Sequence, residues 1–419
     1  MGNKTVDDNY VPDDYRNPSI DILSEVEESR AAKTHWKDIY LVSVFYFFAY
    51  VTYQALMIPL YSYLKKLDGD ASIEFYGFIT SAFKMVPVAY RKYLVLLVFV
   101  LHSTAEGSLI IVRSYVPRIS TPADRSAAYG VKNGAVLLSV VAGPLIQLVF
   151  SSIPWPKDGV VIMDPYFKLN QFTGTIWLLL IFNILAFYLV VVHIREPSDM
   201  EGEEEDKPGY YNLIVMLLLE KSISGGGFAA LLTIINPYVT TTFNFSNGHA
   251  LYIVTVASVG VGIFSIAVVG LFIFAKLGTI IPASRSFPIS LLLCLTMFIL
   301  SYPLPLISSQ VPVKSAENPH GCDASVYAWC ESLFMNPKFL WLGMVAVLTG
   351  TAMPFSLISQ DTIYSRVLEG LDQVGAKTRK SFCFTRWSPA GFWSGCAVVM
   401  VIALALWVPV YRKLRVRGI

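Results

Sequence analysis

The chain has 419 residues, of which 54% are hydrophobic and 15% charged, with a net charge of +2 and a mean hydropathy of +0.55. That balance excludes an ordinary soluble domain. A charge so close to zero, with its basic residues beside apolar runs instead of in one patch, excludes a nucleic-acid surface.

In chain order, the first 37 residues are hydrophilic, with eight acidic and five basic side chains, and predict a disordered cytoplasmic tail. No cleavable signal peptide is visible, so Tyr40–Leu64 is expected to be an uncleaved first span. Five further runs contain no Asp, Glu, Lys or Arg: Asn133–Pro156, Leu169–Ile194, Ser286–Val313, Phe339–Gln360 and Trp387–Tyr411. Ser222–Ala275 is long enough for two spans folded back at the polar turn Asn236–His249, and Tyr93–Val112 carries only Glu106. About 20 apolar residues cross the hydrocarbon core as a helix, where the backbone must satisfy its own hydrogen bonds. Nine spans in an all-α polytopic membrane protein follow. The expected divisions are the tail 1–37, an N-terminal transmembrane half 38–194, an acidic cytoplasmic loop 195–209, a C-terminal half 210–411 and a basic tail 412–419.

Lys and Arg in short loops set the orientation. With the N-terminus in the cytoplasm, the loops Arg113–Lys132, Arg195–Gly209, Lys276–Arg285 and Asp361–Arg386 all fall inside. Two places break the rule. Nine spans put Arg412, Lys413, Arg415 and Arg417 outside, and the stretch between Leu64 and Tyr93 puts Lys65, Lys66, Lys84, Arg91 and Lys92 outside.

Two hydrophobic halves around a charged loop suggest a carrier built from two repeats. The segments "WKDIYLVSVFYFFAYVTYQALMIPLYSYL", "EGSLIIVRSYVPRISTPADRSAAYGVKNGAVLLSVVAGPLIQLVF", "KLNQFTGTIWLLLIFNIL" and "MPFSLISQDTIYSRVLEG" resemble, in order, parts of the first, fourth, fifth, sixth and tenth helices of major facilitator superfamily transporters. Within that superfamily they look most like the lysosomal ceroid-lipofuscinosis neuronal type 7 branch. The resemblance implies a major facilitator-type two-half bundle in which about nine of twelve helices are visible. On that resemblance helices two, three and eleven are expected to be absent, at Phe83–Val88 and after Gly370, the places where the charge rule fails; the alternative for the stretch between Leu64 and Tyr93 is a long ordinary outer loop. A splice variant or an incomplete reading of the gene would produce that pattern.

Several residues carry candidate chemistry. Gly143 and Pro144 could form a flexible packing seam, which in the resembled superfamily helps the halves rock, or a structural kink. Asp124 and Arg125 could latch helices on the cytoplasmic face or be a solvated pair. Glu106 is the one acid inside an otherwise uncharged span, a transport candidate with Arg113 seven residues on. Where the superfamily often has an arginine in that helix, this chain has Phe99 and His102, and a glutamate common in the branch is Leu232 here. Glu220 and Lys221 lie in the membrane if their helix starts near Tyr210, and at its edge if it starts at Ser222. Gly225, Gly226 and Gly227 predict an interruption that bends the helix or exposes backbone to substrate, and Asn236 and Pro237 an end or kink. Cys322 and Cys330 share one outer loop and are expected to pair. Asn244 begins a glycosylation sequon on the outer side.

No P-loop, metal-ligand cluster or paired catalytic constellation is present, so neither an enzyme nor a cofactor is expected. The expected partners are the lipid bilayer and a small molecule or ion, without nucleic acid, for a monomer. The resemblance implies a secondary-active transporter working by alternating access in an endosomal or lysosomal membrane. An anion-channel-like conductance and a truncated, non-transporting membrane isoform stand as alternatives.

Overall fold

A computed structural model describes residues 34–67, 115–156, 159–163, 167–170, 173–193, 211–245, 247–303, 307–315, 318, 321–324, 329–367 and 389–416. Its helices are α1 (Trp36–Leu67), α2 (Arg125–Ser152), α3 (Thr173–His193), α4 (Tyr211–Thr242), α5 (Asn247–Ile273), the single turn α6 (Leu277–Ile280), α7 (Ala283–Ser301), α8 (Lys338–Val367) and α9 (Pro389–Val416). Among the described residues, six stretches are long and apolar enough to cross a membrane: α2, α3, Tyr252–Ile273 of α5, α7, α8 and Trp393–Arg415 of α9. This is an all-α polytopic membrane protein. The span expected at Tyr93–Val112, with Glu106 and Arg113, lies outside the described residues.

Each apolar run becomes a helix because lipid offers the backbone no hydrogen-bond partner. α3 displays the consequence most plainly. Ile181, Ile184, Phe187 and Val191 are exposed along it, an apolar flank that lipid must cover. The run expected to extend from Ser286 to Val313 stops as a helix at Ser301, because Pro303 and Pro305 follow at once. Pro144, Pro288, Pro354 and Pro409 sit inside α2, α7, α8 and α9, which continue through them.

Helix directions follow from their contacts. The chain enters α1 at what is here called the near face, where Thr34 Oγ1 donates to Asp124 Oδ2 (3.0 Å) just before α2. α5 ends at this face, with Ile273 against Gly130, and Gly278 of α6 lies against Ser126. α9 begins at the far face, with Trp393 5.4 Å from Tyr238 near the end of α4 and 6.0 Å from Trp341 at the start of α8. It ends at the near face, with Trp407 4.6 Å from Phe287 and Lys413 Nζ 3.7 Å from Met216 Sδ. The end of α9, which carries Arg412, Lys413 and Arg415, therefore lies on the same face as the start of α1. A count of nine alternating spans would instead put the two ends on opposite faces.

α1, α2 and α3 form an N-terminal group, and α4, α7, α8 and α9 form a C-terminal group. Within the first, Asn183 Nδ2 donates to Thr52 Oγ1 (2.7 Å) and Thr175 Oγ1 to Gln147 Oε1 (3.1 Å), the interhelical polar contacts that hold helices together where apolar burial gives little drive. In the second, Tyr238, Phe243, Trp341 and Trp393 pack as one aromatic cluster toward the far face. α5 joins the groups, packing on both α2 and α8.

Two short antiparallel ribbons lie on the far face: β1 (Val160–Met163) with β2 (Phe167–Leu169), and β3 (Ser309–Gln310) with β4 (Phe334–Met335). The second anchors the loop between α7 and α8. Cys322 and Cys330 are disulfide-bonded beneath it, both 1% exposed and packed into the C-terminal core with Leu333 and Trp341. Asn336 ties the loop to the end of α7 by donating from Nδ2 to the carbonyls of Leu300 and Ser301, each at 3.1 Å.

Candidate functional site

The most consequential polar contact joins the two groups. Lys132 of α2 and Asp361 of α8 form an ion pair at 2.6 Å, with side chains only 1% and 5% exposed. Asn133 Nδ2 adds a second donor to the same oxygen, Asp361 Oδ2, at 3.1 Å. The ammonium of Lys132 also lies over the rings of Tyr46 of α1 (4.9 Å) and Tyr129 (5.7 Å). An ammonium between a carboxylate and two aromatic faces is well compensated, although it is far from water. Lys132 stands seven residues into α2 and Asp361 six before the end of α8. At 1.5 Å of rise per residue, both lie about 10 Å in from the near-side helix ends. The pair closes the contact between groups at the near side of the bundle.

Small residues set the spacing along the same seam. A Cβ on Gly134 would stand 3.0 Å from Val269 Cγ1, and one on Gly262 would overlap Val141. Gly130 and Gly134 are four apart on α2 and share its face toward α5. Among the described residues, the seam therefore combines glycine contacts between α2 and α5 with the buried ion pair between α2 and α8. On the other side of α5, Gly350 of α8 lies against the Val261 carbonyl, and Ser265 Oγ donates to the Gly350 carbonyl at 2.8 Å.

A second polar cluster lies inside the C-terminal group, between α4, α7, α8 and α9. Glu220, 2% exposed, lines a cavity with Lys221, Gln360, Tyr364, Phe287 and Trp407. Lys221 Nζ sits 4.5 Å over the Tyr364 ring, and Gln360 Nε2 donates to Ser224 Oγ at 2.9 Å. α4 begins at Tyr211, so Glu220 and Lys221 are inside the helix and not at its edge.

The residues singled out from sequence are dispersed. Gly143 faces α1, where its Cβ would lie 2.7 Å from the Ala55 nitrogen, so it packs inside the N-terminal group, and Pro144 beside it is buried within α2. Arg125 is buried at the start of α2, while Asp124 accepts from Thr34 across the α1–α2 entry. Gly225, Gly226 and Gly227 do not interrupt α4, nor do Asn236 and Pro237 end it, since the helix runs unbroken to Thr242. Neighbours hold it straight: Gly227 packs against Met400 and Phe298, whereas Gly225 and Gly226 face open space. Asn244, at a φ of 56°, donates from Nδ2, the atom a glycan would occupy, to Asn318 Oδ1 at 3.0 Å.

The charge rule puts Lys132 and Asp361 in loops, whereas both lie within helices. The available signal was local: Lys132 sits in "AAYGVKNGAV", whose small residues let a neighbouring helix approach closely.

No protein-family model matches the chain. Over 227 aligned residues it is 21% identical to major facilitator superfamily domain-containing protein 8 of Xenopus laevis, covering 44% of this chain and 44% of that protein. The match thus spans less than half the length of the relative. Membrane-spanning helices, two groups joined through α2, α5 and α8, and this similarity relate the chain to major facilitator proteins.

Proposed function

We propose that the chain is a secondary-active transporter that moves a small solute or ion by alternating access, its two helix groups rocking about the α2–α5–α8 contact. The observation that carries this reading is the Lys132–Asp361 pair, a buried inter-group link on one side of the bundle. Charges inside a membrane protein are costly and favour paired or water-lined positions. A closure made of one ion pair can open when water or solute replaces each partner, whereas an apolar seam has no such exchange.

The near face is assigned to the cytoplasm, supported by Arg118, Lys276, Arg285, Arg366, Arg412, Lys413 and Arg415 beside near-side helix ends. Resemblance to the lysosomal branch supports an endosomal or lysosomal membrane. The direction of α9 supports descent from a twelve-helix carrier. α9 runs far to near as a twelfth helix would, although no uncharged run precedes it after Gly370.

The test is flux into sealed vesicles holding the purified chain, screened with inorganic anions, amino acids, sugars and nucleosides. A carrier gives saturable uptake that is accelerated by the same solute on the opposite side. Current that rises without saturating would replace the carrier reading with a conductance, and absence of any flux in folded protein would remove transport altogether.

A further inference from the structure

Glu220 stands apart from every other charge among the described residues because neither of its carboxylate oxygens has a hydrogen-bond partner there, although the side chain is 98% buried. The indole Nε1 of Trp407, in the wall of the same cavity, is likewise without an acceptor. An unpartnered acid and an unpartnered donor thus line one small space, with room for about one water molecule. Among the described residues the charge environment is sparse. α4 contributes Lys221, whose ammonium is over Tyr364, and α8 contributes Tyr364 itself, with Asp361 held by Lys132 of α2. α7 and α9 present only Phe287 and Trp407 to the cavity, and the nearest α9 charge, Lys413, lies at Met216, one turn toward the start of α4. An anion left so would lack the donors that normally compensate it, whereas the neutral acid would not need them. A bare metal cation would find too few oxygens, and no group of His, Cys, Asp or Glu that could hold a metal occurs among the described residues.

α8 connects this cavity to the inter-group closure. Gln360 lines the cavity and holds Ser224, and the next residue, Asp361, holds Lys132. Glu220 lies nine residues into α4, about 13 Å from its near-side end, at nearly the depth of the ion pair. Any movement of α8 that draws Asp361 from Lys132 carries Gln360 and Tyr364 with it and alters the walls around Glu220. We propose that Glu220 is a proton-binding residue whose charge state biases the Lys132–Asp361 closure through α8, the neutral acid favouring the closed, dry arrangement and the anion the open one. This rests on the transport reading only for the meaning of the closure, not for the proton site.

Two readouts on the full chain in phosphatidylcholine vesicles test it. A hydrophobic carbodiimide, which reacts with protonated buried carboxyls, is mapped by mass spectrometry to the Glu220 peptide. Labelling there should fall several-fold as the pH is raised, and vanish in Glu220→Gln. Second, spin labels on Ala127→Cys of α2 and Arg366→Cys of α8, with the free cysteines replaced, report the near-side separation. The distance should lengthen with rising pH in the parent and stay short at every pH in Glu220→Gln. Labelling that is absent or independent of pH overturns the proton site alone. Equal pH responses in parent and Glu220→Gln overturn the coupling. A separation fixed in every variant, including Lys132→Met, sinks the transport reading as well, even if labelling still follows pH.

Discussion

Replacing Lys132 by Met tests the closure through its energetics. The substitution keeps a long unbranched side chain in contact with Tyr46 and Tyr129 but removes the ammonium 2.6 Å from Asp361. Breaking a buried pair by deleting one partner costs about 3–5 kcal/mol, because the other charge stays behind uncompensated. Here Asn133 keeps one donor on Asp361 Oδ2, and a hydrogen bond to a charged group recovers about 1.5–3 kcal/mol at most. The expected net loss is therefore about 1.5–2 kcal/mol, a shift of roughly ten- to thirtyfold in any equilibrium that the pair stabilises. Thermal unfolding in detergent, followed by tryptophan fluorescence, measures it. Lys132→Met should unfold well below the parent, and the double variant Lys132→Met/Asp361→Leu should recover most of the loss, since an apolar pair of similar volume removes the stranded charge. If Lys132→Met is as stable as the parent, or the double variant is no better than the single one, the two residues do not form an energetically coupled buried link.

Other expectations follow from close contacts and open space. Gly225→Ala and Gly226→Ala should each stabilise the protein by about 0.5–1 kcal/mol and leave flux intact, because both positions are helical with nothing within 4 Å of a new Cβ. Loss of flux on either change would instead restore the idea of a flexing glycine run. Gly262→Leu should destabilise by at least about 1–3 kcal/mol in the same detergent assay, since its Cβ already overlaps Val141 across the seam. Cys322→Ser should loosen the far-side loop by about 2–3 kcal/mol, the loop-closure effect expected of a bridge between residues eight apart. Limited proteolysis of right-side-out vesicles checks it, and an unchanged cleavage pattern between α7 and α8 would contradict a structural role for the bridge.

The fold was legible where one kind of force acts alone. Uncharged runs such as Leu169–Ile194 have no option in lipid but a helix, and α3 occupies Thr173–His193. Counting spans put the two ends of the chain on opposite faces, whereas α9 ends on the face where α1 begins. The site was less legible. Lys132 and Asp361 each ended an uncharged run, so a rule that stops a span at a charge assigned them to loops. Their partnership links positions 229 apart, and nothing in a single sequence pairs a particular lysine with a particular aspartate over that distance. Gly225–Gly227 misled for the opposite reason. Intrinsic propensity favours a break there, but packing of Gly227 against Met400 and Phe298 keeps the helix whole.

The central claim is that the two helix groups part at the near face when the Lys132–Asp361 link opens. The distance between spin labels on Ala127→Cys and Arg366→Cys, measured in vesicles in the parent and in Lys132→Met, tests it most directly. The account predicts two separations, with the parent mostly at the shorter and Lys132→Met displaced toward the longer. One distribution, unchanged by loss of the lysine, would contradict it.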